Sequence, residues 1–147
     1  MTNKEIEIAK RFEGLGLEWI PEVGDKYFYE GELRVATGVA TGVRYDSSGV
    51  YVTHDKPSRI AEGKYLEWHE CEYCVFFPDI TRCFEELVKR GCLPRLSFFE
   101  VPHEVEGENF SYYSINDGFM EGKKETGVTP REALYKLLSE VMEATNE

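Results

Sequence analysis

Apolar residues recur at three- and four-residue spacing at the two ends of the chain, and they alternate with polar ones through much of its middle. The clearest helical run is Pro130 to Met142. Thr129 stands where a cap belongs, Pro130 suits the first helical position and Glu132 is placed to reach back to the cap, which together predict a capping box. A shorter amphipathic helix is expected over residues 3–13, capped by Asn3, with Ile6, Ala9 and Phe12 on one side and Gly14 and Gly16 ending it. Pro78-Asp79 opens a third, whose expected buried stripe is Ile80, Cys83, Phe84, Leu87 and Val88. Lys89-Arg90 fall in its last turn and Gly91 follows as a stop.

Between the helices the pattern turns to period two. Tyr27-Phe28-Tyr29, the turn Glu30-Gly31-Glu32 and a long β-rich stretch read as the start of a hairpin meander. Residues 35–42 carry a small repeat, Val-Ala-Thr-Gly twice over. Alternation places Val35, Thr37, Val39, Thr41, Val43 and Tyr45 on one face, and Arg34, Ala36, Gly38, Ala40, Gly42 and Arg44 on a nearly bare opposite face. A bare face admits close approach of another element or a ligand, whereas interior glycines also mark bulges or bends. Asp46 to Gly49 reads as a turn, Val50 to His54 as the return strand, 55–63 as a polar loop and 64–72 as a further strand. Strands are also expected after Pro94 and over 110–115, with 122–127 as loop. Few strand–helix–strand units appear, so the fold expected is a single α+β domain over residues 1–147, an antiparallel sheet with two or three helices packed on it.

Twenty-eight acidic residues against seventeen basic ones give a net charge of -11, which repels phosphate backbones and anionic lipid and disfavours nucleic-acid or membrane binding by charge attraction. No secretory leader pattern and no run of about 18 apolar residues is present, which leads to the expectation of a cytoplasmic protein. In that setting four cysteines are expected as thiols.

The sharpest candidate for chemistry is His69-x-Cys71-x-x-Cys74, with Cys83 and Cys92 downstream, because zinc prefers thiolate and imidazole. Cys74 runs into Val75-Phe76-Phe77 rather than a knuckle turn, and on one continuous strand Cys71 and Cys74 would face opposite ways. The zinc module is therefore carried as an alternative, with no metal ligand, cofactor-binding or catalytic residue assigned. Each histidine precedes an acid (His54-Asp55, His69-Glu70, His103-Glu104), but strand neighbours diverge and form no dyad. Metalloprotease, nucleophile-elbow and phosphate-loop motifs are absent, so an enzyme requires a site assembled from distant residues, such as His54 with a carboxylate. The abundant aromatics, Trp19, Tyr27, Tyr29, Tyr51, Trp68, Tyr73, Tyr112 and Tyr113 among them, offer a second lead. Tyr112 and Tyr113 must split between faces. A surplus of rings beside an acidic rim suits a basic protein partner.

Trp19-Ile20-Pro21-x-x-Gly24-Asp25, Phe77-Pro78-Asp79 with Leu87 and Gly91-x-x-Pro94, and Thr129-Pro130-x-Glu132-Ala133-Leu134 together resemble small uncharacterised proteins encoded by bacteriophages and prophages. That resemblance implies a phage or bacterial cytosolic setting and a role in binding a host factor, and it adds no catalytic residue. The function expected is thus a non-catalytic, acidic protein-interaction domain, with a homodimer through an open face or edge strand as a further expectation.

Overall fold

The computed structural model describes residues 2–41, 50–56, 65–102, 109–118 and 123–145. Among the described residues, three helices and eight strands in two antiparallel sheets make the α+β class expected. The chain divides into two compact units, one of Met1–Gly16 with Asp79–Glu147 and one of Leu17–Pro78.

The first unit holds all three helices, α1 (Asn3–Phe12), α2 (Ile80–Lys89) and α3 (Pro130–Thr145), with the strands β6 (Pro94–Pro102), β7 (Asn109–Asp117) and β8 (Lys124–Gly127) in the order β6-β7-β8. Its centre is α3, which packs against α1, α2, β7 and β8 and buries Ala133, Leu134, Tyr135, Leu137, Leu138, Val141 and Met142. Phe12 of α1 meets Tyr135 edge-on at 5.1 Å. Arg11 of α1 also donates to Ser139 Oγ at 2.6 Å and to Glu143 at 3.2 Å.

One carboxylate ties the two helix starts of this unit together. Thr2, rather than Asn3, caps α1, in a box with Glu5 whose Oε2 accepts from the Thr2 amide at 2.8 Å. The other oxygen, Oε1, accepts the hydroxyl of Thr129, and Thr129 Oγ1 in turn accepts the amide of Glu132 at 3.0 Å. Glu5 is 1% exposed, so its charge is compensated almost wholly by donors at the positive ends of α1 and α3. Glu132 reaches back one residue further than the cap, accepting from the Val128 amide at 3.1 Å.

Two expectations change in this unit. The buried face of α2 is Cys83, Glu86 and Leu87, while Ile80 and Val88 are exposed. Glu86 tolerates burial because Arg82, at 3.0 Å, and Arg90 both pair with it. Residues 124–127, expected as loop, form β8, which pairs Lys124 to Gly127 with Asn116 to Tyr113. That strand has no apolar side chain to betray it. Gly127 is required there by contact, since a Cβ would lie 2.7 Å from the Ala133 amide nitrogen of α3.

The second unit is a five-stranded sheet of β1 (Lys26–Tyr29), β2 (Glu32–Thr41), β3 (Val50–Lys56), β4 (Tyr65–Glu70) and β5 (Val75–Phe77), ordered β4-β3-β2-β1-β5. The Trp-Ile-Pro word at residues 19–25 is structural here. Trp19 donates its indole N–H to Asp25 at 2.8 Å, Asp25 also accepts the Glu22 amide at 2.9 Å, and the indole stacks on Phe76 at 5.2 Å. The bare face of β2 is the buried one, with Ala36 at the core beside Tyr27, Val52 and Cys74. Alternation breaks at a register shift between Ala36 and Gly38, which is the bulge reading of the glycine repeat. The last residue of that repeat, Gly42, and the turn at Asp46 to Gly49 lie outside the described residues.

Gly38 leaves room for Thr53, whose Oγ1 would sit 2.7 Å from an added Cβ and which bonds Thr37 Oγ1 at 3.1 Å. Gly38→Ala should cost about 1–3 kcal/mol by overpacking and breaking that bond. In Thr53→Ala the same glycine substitution should cost measurably less. Urea unfolding followed by tryptophan fluorescence reads this unit, because Trp19 and Trp68 both belong to it; equal costs in the two backgrounds would reject the contact. In the first unit, Glu5→Ala strands two part-buried donors and should cost about 2–4 kcal/mol. Far-UV circular dichroism during urea unfolding checks this, and a loss below about 1 kcal/mol would show the carboxylate to be dispensable.

Candidate functional site

The register of the second sheet puts Tyr27 opposite Arg34, Ala36 opposite His54 and Val52 opposite His69, so all six share one face. Arg34 is the hub. Its side chain is only 8% exposed, and one terminal nitrogen, Nη1, lies 3.1 Å from His54 Nε2 and in hydrogen-bond contact with His69 Nε2. The other, Nη2, donates to the Glu32 carboxylate at 3.0 Å. His54 and His69 stack with ring centres 4.6 Å apart, Tyr29 stacks on His69 at 3.8 Å, and the Arg34 guanidinium carbon lies 5.1 Å from the Tyr29 ring centre.

A guanidinium has only donors, so both Nε2 atoms must be acceptors. Each imidazole is therefore neutral in this arrangement and carries its proton on Nδ1. This bears directly on the sequence candidates. His54 meets Arg34 and a second imidazole here, and the β3–β4 register sets it opposite Glu67. His69 spends on Arg34 the lone pair that a metal would need.

The cysteines also sit differently from a continuous strand. A 3-10 turn at Cys71–Tyr73 interrupts β4 and β5, the Cys74 amide donates to Cys71 O at 3.0 Å, and both residues pack into the core beside Tyr27. The turn brings together two thiols that alternation separates. Burial pushes the Cys71 thiol up to about 11 and Cys74 up to about 12, the latter raised further by Cys71 and eased by Arg34. Burial also raises Cys83 and Cys92. Protonated thiols of this kind are poor nucleophiles at neutral pH. Among the described residues no three His, Cys, Asp or Glu side chains are grouped closely enough to hold a metal ion. His103 lies outside the described residues.

The first unit contributes a different surface. Over most of its length β6 runs as an edge strand paired with β7, and aromatic pairs occupy both faces of this ribbon: Phe98 with Tyr113 at 5.1 Å on one, Phe99 with Tyr112 at 5.4 Å on the other. The two tyrosines split as alternation requires. Phe98 is 55% and Phe99 43% exposed. Only Tyr113 to Asn116 of β7 pair with β8, so beyond Tyr113 the ribbon has two strands among the described residues. A two-stranded ribbon with rings on both faces cannot bury them by itself. Comparison with protein-family models, curated proteins and solved structures finds no match to this chain.

The raised thiols give a pH test with a definite sign. Below the ordinary thiol value of 9.0 both states keep their protons. Above it the unfolded chain loses them first, so stability falls as the pH climbs toward 11 and 12. The tryptophan-detected urea midpoint should decline across that window in the wild type and decline less in Cys71→Ala/Cys74→Ala. Parallel curves for the two proteins would assign the loss to other groups.

Proposed function

We propose that this protein is a non-catalytic, acidic interaction domain that docks on a basic surface of a partner protein through the β6–β7 ribbon. The observation carrying this reading is the exposure of Phe98 and Phe99 on opposite faces of an edge ribbon. Aromatic anchors of this kind supply most of the energy in protein interfaces. The net charge of -11 supports the sign of the partner, since it accelerates encounter with a basic surface and disfavours acidic ones. In the chain order, Glu100 follows the exposed rings and Glu104, Glu106 and Glu108 come next, which adds acid to the segment joining the two strands. The phage resemblance favours a bacterial host protein as the partner.

Immobilised wild type and Phe98→Ser/Phe99→Ser should differ in what they retain from a bacterial extract at low salt. A specific partner should elute as salt rises and bind the double variant at least about 10-fold more weakly, the size of effect expected when interface anchors are truncated. Both substitutions are at exposed positions, and unchanged far-UV circular dichroism would confirm the fold. The same partner held equally by both proteins would reject the ribbon as the docking surface.

A further inference from the structure

The link between β4 and β5 joins the two edges of the order β4-β3-β2-β1-β5 through residues 71–74 alone. Five strands laid flat would set their edges about 19 Å apart, at a spacing of about 4.8 Å per strand. A turn closed by an i to i+3 hydrogen bond holds its ends within about 7 Å, so this sheet curls until one turn spans its edges. That turn is Cys71–Tyr73 with Cys74 as its cap, and the Cys74 amide closes it on Cys71 O at 3.0 Å. We propose that Cys71 and Cys74 form a redox site, a thiol pair that a small disulfide such as oxidised glutathione converts into a disulfide across this turn.

Position and access carry the argument. Side chains three residues apart eclipse on a 3-10 turn, and both cysteines pack on one side of it: Cys74 lies in the cluster of Tyr27, Ala36 and Val52, and Cys71 packs against that cluster. A turn of this width falls in the Cα separation of about 4.4–6.8 Å that a disulfide requires, so the bond forms without displacing β4 or β5. Access is unequal. Cys71 is part-exposed, whereas Cys74 is buried and donates its S–H to Glu70 O at 3.4 Å. Cys71 therefore meets the oxidant and Cys74 resolves it. Cys83 and Cys92, in the first unit, are both buried and closed to the same reagent.

The chemistry is two successive exchanges. Cys71 loses its proton to solvent, its thiolate attacks one sulfur of oxidised glutathione, and a glutathione thiolate leaves and takes up a proton. Cys74, losing its own proton, then attacks the Cys71 sulfur of the mixed disulfide and expels the second glutathione. Two protein thiols are thus oxidised by two electrons, and one glutathione disulfide is reduced to two thiols. Burial raises both protein thiols, which slows the first attack. The same lack of a stabilised thiolate gives the reduced state no advantage, so the bond resists reduction once formed.

The intact chain, first reduced and then brought to equilibrium with a mixture of reduced and oxidised glutathione, is quenched in acid, unfolded, alkylated and digested with trypsin. Cleavage after Lys64 and Arg82 releases residues 65–82, which hold Cys71 and Cys74 and no other cysteine. This peptide should escape alkylation and be lighter by two hydrogens, while Cys83 and Cys92 should be alkylated. In tryptophan-detected urea unfolding the oxidised second unit should show an unfolding constant about 10-fold lower, the effect of closing a short loop in the unfolded chain. Cys74→Ser should stop at the mixed disulfide on Cys71. A wild type that keeps all four thiols alkylated, that stops at the mixed disulfide, or whose oxidised form unfolds at the same or a lower urea concentration would overturn the proposal. Should Cys74→Ser not fold, the wild-type peptide and midpoint decide alone.

Discussion

A guanidinium cannot be buried without compensation, and the second unit is organised around that requirement. Arg34 enters the sheet interior because β2 alternates, and once inside it must find acceptors worth several kcal/mol of lost hydration. Two imidazole lone pairs, one carboxylate and the face of Tyr29 provide them. These partners come from β1, β2, β3 and β4, so the cluster fixes the register of four strands at once. Sliding any one of them by a single residue would turn its contribution to the opposite face and cost Arg34 that partner. Few aliphatic side chains line this face; Ala36 and Val52 are small, and the rings of Tyr27, Tyr29, Trp19 and the two histidines fill what a leucine core fills elsewhere. Polar pairing and ring packing specify the sheet together.

The first unit meets the same problem with the opposite charge. Glu5 is as buried as any core residue, and its donors are a backbone amide at the start of α1 and a hydroxyl at the start of α3. Both lie at helix N-termini, where the unsatisfied amides favour an anion. A side chain that seems to serve its own helix therefore also positions the cap of a helix more than a hundred residues later. This explains how the N-terminal segment belongs to the unit formed by the C-terminal half of the chain. Arg11 and Phe12 extend the contact along α3, and the apolar packing there is conventional.

What was legible in the sequence is what depends on near neighbours. Helix starts at Thr129 and Asp79, the turn at Glu30-Gly31 and the split of Tyr112 from Tyr113 are local consequences of side-chain chemistry or of period-two geometry. What was not legible depends on distant partners. Lys124 to Gly127 has no strand pattern, and it becomes β8 because β7 offers it a ladder and α3 demands a glycine at its end. The stripe of α2 misplaces Ile80 and Val88 because hydropathy cannot foresee that Glu86, flanked by Arg82 and Arg90, is cheaper to bury than it looks. His54 and His69 each read as chance beside an acid, and only the register of β3 on β4 brings their rings together. A faint signal existed: Arg34 on an otherwise bare face, with a histidine on each of two later strands of the same meander.

The two units place their polar and apolar groups in inverse ways. Arg34 and its histidines are closed to solvent and bonded to one another, which is how a group that holds a fold together is arranged. The ribbon of β6 and β7 is the reverse, with large rings left in water where no neighbouring helix covers both faces. Aromatic surface costs solubility in the free protein, and a surrounding excess of acid can offset that cost without covering the rings. A chain that needed only to be soluble would gain by replacing Phe98 and Phe99 with polar residues, since each is exposed. Their exposure is instead accounted for if the ribbon completes its packing against another protein, and the acidic charge then selects which surface can supply the missing half.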